Sequence, residues 1–300
     1  MSEGKLVWSL FRVKQWYKNI VIFLGIVFGM ALISPENIIM SLMGFFALCL
    51  ITSSGYIRND IIDLERDKLH PEKKNRPLAS GKISLKQANI IFSALFSIAI
   101  IFSFALDLVF GILMITLFIN TEVYSRFTKK IVFLDTFAIG INFVIRAVSG
   151  IVLINTAISP WIVLGVFFVA LFLAFLKRKS EKVNLGDNAG NHRSVLKVYK
   201  KNVLDVAVYV SGIMIIITYI TYSVIGHFLD GRLIFSIPFI VAAVFRLFQL
   251  SRINHPLIEK NEFYKDKIIL GLLVSYSIVT LFLLYSGTYD MFLDEIFLRV

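Results

Sequence analysis

Residues 38–67 read Ile38-Ile39-Met40-Ser41-Leu42-Met43-Gly44-Phe45-Phe46-Ala47-Leu48-Cys49-Leu50-Ile51-Thr52-Ser53-Ser54-Gly55-Tyr56-Ile57-Arg58-Asn59-Asp60-Ile61-Ile62-Asp63-Leu64-Glu65-Arg66-Asp67. The first 20 of these carry no charge and the next ten carry six. About 20 apolar residues are what an α-helix needs to cross the hydrocarbon of a bilayer, so a membrane helix ends in a charged cluster here. The rest of the chain agrees. Soluble domains run at about 45–50% apolar and about 25% charged residues, whereas these 300 residues are 57% hydrophobic and 17% charged, with 28 phenylalanines. The apolar runs are continuous rather than alternating, which excludes a transmembrane β-barrel. The fold class is an all-α polytopic membrane protein. Its single cysteine, Cys49, leaves no disulfide within one chain.

Nine apolar segments stand out, at 20–33, 38–57, 88–106, 108–123, 131–154, 160–176, 203–226, 233–248 and 268–287. Together they make a single polytopic membrane domain over 1–300. Segments 1–2, 3–4, 5–6 and 7–8 are joined by a few residues; long charged loops follow segments 2, 6 and 8. Of the 31 Lys and Arg, all but Arg146, Arg232 and Arg299 fall on one side of such an arrangement. The positive-inside rule then sets the N-terminus and the large loops in the cytoplasm and the C-terminus outside, in a plasma membrane. The net charge of +11 is therefore topology and contact with membrane lipids, with no nucleic-acid partner implied. Residues 1–19 are basic and aromatic and show no secretory signal. Segments 2 and 6 each feed a long charged loop, which suggests a faint internal duplication. A homo-oligomer is left open.

Asp60, Asp63 and Asp67 stand at spacings of 3 and 4, on one helical face, with Asn59 one turn before Asp63. Like charges stacked in this way repel. A divalent cation removes the repulsion, and Mg²⁺ favours one or two carboxylates plus phosphate oxygens. The plainer alternative is an interfacial helix end whose acids pair with Arg58, Arg66 and Lys68, contacts that contribute little when exposed. The loop continues through Asn75-Arg76-Pro77-Leu78-Ala79-Ser80-Gly81. Proline and glycine make it a fixed turn, and Arg76 suits a bidentate clamp on phosphate; a solvated basic loop is the other reading.

The pattern Asn59-Asp60-x-x-Asp63-x-x-x-Asp67, followed by Asn75-Arg76-Pro77-Leu78-x-x-Gly81, resembles the first signature of the UbiA superfamily of intramembrane prenyltransferases. The resemblance extends over essentially the whole chain. It implies a UbiA-like bundle with large cytoplasmic loops, in which the aspartates bind Mg²⁺ and a substrate diphosphate. Many members that prenylate aromatic rings carry a second aspartate-rich motif in the loop after segment 6. Here that loop reads Lys177-Arg178-Lys179-Ser180-Glu181, then Asp187, then Arg193-Ser194-Val195-Leu196-x-x-Tyr199, which suits a second phosphate rather than a second magnesium. The N-terminal Arg12-Val13-Lys14-Gln15-Trp16-Tyr17-Lys18-Asn19 points the same way. Both stretches are similar to the decaprenyl-phosphate phosphoribosyltransferase branch, apart from Val13, where that branch leads one to expect proline. Without the resemblance, Lys14, Trp16, Tyr17 and Lys18 read as an interfacial aromatic and basic belt, and Lys177 to Lys179 as a helix end facing anionic lipid.

Asp135, Asn142 and Arg146 lie 7 and 4 residues apart, along one face of segment 5. An arginine inside a membrane helix marks a functional site by default, the alternative being a structural pair with a carboxylate on a neighbouring helix. Lys129 precedes this segment and lies close in sequence to Tyr124. The four histidines show no metal-ligand spacing, and neither a nucleophile triad nor a glycine-rich nucleotide loop is present.

These readings converge on an Mg²⁺-dependent enzyme that transfers 5-phosphoribose from phosphoribosyl diphosphate to a polyprenyl phosphate. Asp60, Asp63 and Asp67 would be catalytic and, with Asn59, hold the metal. Lys14, Gln15, Lys18, Asn19, Arg76, Tyr124, Lys129, Arg146, Lys177, Arg178, Glu181 and Arg193 would bind substrate. One alternative within the superfamily moves a prenyl group from its diphosphate to an aromatic or other lipophilic acceptor. Another, from a different class, is a transporter with these charges lining its path.

Overall fold

The computed structural model describes residues 3–70, 73–186, 190, 193–225, 231–259 and 262–297. Its long helices are α3 (Pro35–Ile62), α5 (Leu85–Leu106), α6 (Leu108–Arg126), α7 (Leu134–Leu153), α8 (Pro160–Leu185), α10 (Lys201–Ile225), α11 (Ile237–Arg252) and α13 (Lys267–Phe297), with short helices α1 (Glu3–Leu10), α2 (Leu24–Phe28), α4 (Leu64–Lys68), α9 (Val195–Val198) and α12 (Pro256–Glu259). Among the described residues, eight helices are long and apolar enough to cross a membrane. Nine were expected, and the difference lies in the segment at 20–33. Its residues 20–28 belong to a 3-10 helix, Val13–Phe23, continued by the five residues of α2, and 29–33 are not helical.

Side-chain bonds to α3 hold this thinner element. Trp16 Nε1 donates to Ser53 Oγ at 3.1 Å, and Asn19 Nδ2 donates to Thr52 Oγ1 at 3.2 Å and Cys49 Sγ at 3.3 Å. Residue numbers fall along α3 as they rise along the 3-10 helix, so the two run antiparallel. At about 2.0 Å per 3-10 residue and 1.5 Å per α residue, 13–28 covers about 30 Å. The fit depends on glycine. A Cβ on Gly25 would stand 2.8 Å from the Ile151 nitrogen, and one on Gly150 would collide with the Ile22 carbonyl.

The chain divides into two compact units, residues 1–128 with 141–158 and residues 129–140 with 159–300. The first packs α3, α5 and α6 around buried Ile22, Leu48, Ile51, Phe110, Met114 and Leu117. Here α5 and α6 are joined through one extended residue, Asp107, whose carboxylate accepts the Phe110 N–H at 2.7 Å and caps α6. The second unit packs α8, α10 and α11 around Phe172, Phe175, Leu204, Val208 and Leu250. Its leading helix α8 and α3 of the first unit begin alike, on a Ser–Pro pair with the serine extended at the N-cap. Proline at the first helical position lacks only an N–H that has no helical partner anyway.

Candidate active site

In the first unit α3 ends at Ile62 and Asp63 caps it, so the acidic run is not one continuous helix as expected. The backbone ladder nevertheless carries through: Asp63 N–H donates to the Asn59 carbonyl at 2.9 Å and Asp67 N–H to the Asp63 carbonyl at 2.8 Å. Asp60 and Asp67, two turns apart, are both buried, while Asn59 and Asp63 are half-buried.

Charges buried this deeply need partners, and they find them outside the helix. Arg76 Nη1 donates to Asp60 Oδ1 at 3.0 Å and to Asp67 Oδ2 at 2.5 Å, and Arg12 Nη2 donates to the same Asp60 oxygen. Lys73 Nζ lies 3.9 Å from Asp67 Oδ1, and burial lowers its pKa against the pull of that carboxylate. Two of the anticipated partners are engaged elsewhere: Lys68 bonds Glu65 at 2.7 Å and Arg58 lies over the Phe92 ring at 5.5 Å. Arg76 is presented by a turn in which its N–H donates to the Lys73 carbonyl and its carbonyl accepts the Ser80 N–H, both at 2.9 Å. Arg12 takes a left-handed backbone, φ 50°, and stacks 4.9 Å over Tyr56. Sequence reading did not choose Arg12; its place two residues before Lys14, at the head of the Arg12–Asn19 stretch, was the available signal.

Two carboxylates from separate helical pieces thus converge on one cationic nitrogen. That hard-oxygen donor set suits Mg²⁺, which takes one or two carboxylates and completes its shell from phosphate and water. Among the described residues no group of three or more metal-ligating side chains exists.

Deeper in the same unit Arg146 is buried; its Nε donates to Asn19 Oδ1 at 3.0 Å and its Nη1 to the Asn142 carbonyl at 2.9 Å. The Asn142 side chain accepts from Asn120 at 2.9 Å. Lys14 is exposed, Gln15, Lys18 and Tyr124 are half-buried, and Lys18 lies 5.9 Å over the Tyr17 ring.

In the second unit α8 continues to Leu185 rather than stopping near 176, so Lys177 to Glu181 are helical and not loop. The cause is ionic pairing. Arg178 Nε donates to Asp135 Oδ2 at 2.7 Å and Nη1 to Glu181 Oε2 at 3.3 Å, with all three residues buried. Arg193 Nε approaches Glu181 at 3.4 Å, and Lys179 pairs with Asp205 at 2.7 Å. Asp135 therefore does not form a set with Asn142 and Arg146, although the three share a helical face. Lys129 and Lys177 are half-buried, and Asp187 lies outside the described residues. The Tyr199 hydroxyl accepts the Phe133 N–H and donates to Asp135 Oδ1, both at 2.8 Å, and burial beside that carboxylate raises its pKa. Removing it in Tyr199→Phe strands both partners, so we expect a loss of about 1–3 kcal/mol in denaturant unfolding.

The UbiA prenyltransferase family pattern matches residues 20–263. The uncharacterized protein y4nM of Sinorhizobium fredii is 34% identical over 182 residues, 60% of this chain and 35% of that protein. The decaprenyl-phosphate phosphoribosyltransferase of Mycolicibacterium smegmatis is 28% identical over 217 residues, 69% of this chain and 67% of that one. The digeranylgeranylglyceryl phosphate synthase of Sulfolobus acidocaldarius is 29% identical over 176 residues, 58% and 62% of the two chains. A UbiA homolog from Archaeoglobus fulgidus, bound to GPP and Mg²⁺, superposes with a TM-score of 0.67 over 95% of this chain and 98% of that one at 17% identity. The helical fold, the membrane-crossing helices and this match over most of the sequence make the chain a multi-pass integral membrane protein that belongs to the UbiA prenyltransferase family.

Proposed function

We propose that the chain transfers 5-phosphoribose from phosphoribosyl diphosphate to a polyprenyl phosphate within the membrane, with its active centre on the cytoplasmic side of the plasma membrane. One contrast carries this reading: the acids at and after the end of α3 converge on a cation, while α8 carries the basic run Lys177-Arg178-Lys179. The similarity to the Mycolicibacterium phosphoribosyltransferase supports it. Asp60 and Asp67, with Asp63 and Asn59 beside them, would hold Mg²⁺, which would neutralise charge on the departing diphosphate. Arg76 and Arg12 then turn from carboxylate to phosphate oxygens, which a guanidinium binds in a bidentate fork. The C1–O bond to diphosphate breaks and its electron pair leaves with the diphosphate. A lipid phosphate oxygen forms the new bond to C1 from the opposite face. Because that acceptor is already anionic, no general base is needed. The second unit's Arg178 and Glu181 keep Asp135 and the loop through Arg193 in place, and Lys129, Lys177 and Arg193 remain candidates for further phosphate contacts.

The similarity to digeranylgeranylglyceryl phosphate synthase favours a second reading, in which the same acids bind a prenyl diphosphate and the prenyl group is transferred to a lipophilic acceptor. One experiment separates them. Purified protein with Mg²⁺, phosphoribosyl diphosphate and polyprenyl phosphate should release diphosphate and yield a phosphoribosylated lipid by mass. No such product, together with turnover of a prenyl diphosphate on a lipophilic acceptor, would overturn the first reading in favour of the second.

A further inference from the structure

Among the described residues, Arg146 is a buried cation with no carboxylate partner. It sits in the thirteenth position of the 20-residue helix α7, about 18 Å along the axis from its first residue. Its side chain is more than nine-tenths buried. Intramembrane charges are ordinarily paired with one another, yet Arg146 bonds only an amide oxygen, of Asn19, and a backbone carbonyl, of Asn142. The groups that act on its charge are the Tyr56 hydroxyl and the Cys49 thiol, neither of them a carboxylate. Among the described residues no carboxylate reaches it, and Nη2 has no hydrogen-bond partner.

The surrounding bonds aim the guanidinium rather than neutralise it. Asn19 is itself fixed through Nδ2 to Thr52 and Cys49, so its Oδ1 must face Arg146 and fixes the Nε edge. The Phe143 ring, 5.3 Å from the guanidinium carbon, covers one face. What remains open is the Nη2 edge of a fork whose shape matches phosphate. Asn19, which holds this edge, is anchored at Thr52, eight residues or about 12 Å before Asp60 along α3.

We propose that Arg146 is the receptor for a substrate phosphate drawn below the acidic centre, and that the ligand supplies the counter-charge the fold leaves out. The free protein then carries an unmatched buried charge that ligand binding matches, so occupancy and stability are coupled. The shared chemistry is a phosphate monoester, which could arrive on a polyprenyl phosphate or as the 5-phosphate of phosphoribosyl diphosphate. The inference rests on the reading that both substrates carry phosphate, but not on the reaction.

The test reads binding without turnover. Melting of the purified full chain is followed in detergent with polyprenyl phosphate, with the corresponding polyprenol, and with phosphoribosyl diphosphate, for the wild type and Arg146→Gln. The glutamine keeps an amide donor toward Asn19 and removes the charge. We expect the unliganded variant to melt at or above the wild-type temperature, and the phosphate-bearing probe that stabilises the wild type to bind at least tenfold more weakly to the variant. Which of the two probes loses its effect identifies the source of the phosphate. A variant that melts well below wild type yet keeps the full ligand shift would overturn the proposal and make Arg146 a structural strut. Should the variant not fold, the wild type decides: equal shifts from polyprenol and polyprenyl phosphate, with none from phosphoribosyl diphosphate, would also overturn it. An Arg146-dependent shift without phosphoribosyl transfer sinks the reaction and keeps the site; transfer with a charge-independent shift does the opposite.

Discussion

Asp60→Ala lowers kcat/KM by about 10³-fold or more, since it removes a group that would hold the metal against the developing diphosphate charge. The loss has a second component that the geometry makes separable. Asp60 Oδ1 receives both Arg12 and Arg76, and its deletion removes that carboxylate from Arg12 and leaves Arg76 with Asp67. Breaking a buried pair from one side costs about 3–5 kcal/mol, less here because both guanidinium groups keep some contact with solvent. Asp60→Asn combined with Arg12→Gln relieves most of that mismatch. The double variant is expected to recover near-wild-type unfolding while kcat/KM stays down. Mg²⁺ titration of turnover, run beside denaturant unfolding, checks both parts. Recovery of activity along with stability would show that Asp60 serves the fold and not the chemistry.

Among the described glycines, Gly150 is the one where an added methyl would come nearest to another atom, so Gly150→Ala should be costly. The new Cβ would be driven into the Ile22 carbonyl, a backbone atom of the 3-10 helix with no rotamer to yield. Overpacking of this kind costs about 1–3 kcal/mol where side chains give way, and more where backbone must move. We expect about 3 kcal/mol or more in denaturant unfolding. Activity falls too, because the displaced element carries Arg12 to Asp60 and Asn19 to Arg146. Gly165→Ala is the control. Its nearest neighbour is the Thr218 methyl at 3.9 Å, so alanine should be neutral or stabilising by up to about 1 kcal/mol through helix propensity. Equal losses in the two variants would refute the close-contact account.

Continuous apolar runs made most of the helices readable, because nothing but an α-helix satisfies the backbone within lipid. The acidic cluster was readable for a similar reason, since acids at such spacing demand a cation. What could not be read was pairing at a distance. Arg178 and Lys179 look like loop until Asp135 and Asp205, 43 residues before Arg178 and 26 after Lys179, are seen to accept them. Arg12 looks like one more positive-inside charge until α3 brings Asp60 to it. The segment at 20–33 misled differently. Its composition suits a span, but Gly25 and the facing Gly150 bring backbones together and favour a narrower element than the apolar count implies. Asp135 and Arg146 share a helical stripe, yet their contacts fall in different compact units. Periodicity alone does not decide what a face meets.

The link between α5 and α6 is a single extended residue, Asp107. Such a hairpin has no slack. Neither helix can enter the bilayer far ahead of the other, because one residue cannot tether a helix in lipid to one still at the translocation channel. The two are therefore integrated during synthesis as one object of some 40 residues, and the connection offers a protease no extended stretch to grip. An epitope tag that most membrane loops accept would have to unwind a helical turn to be housed there.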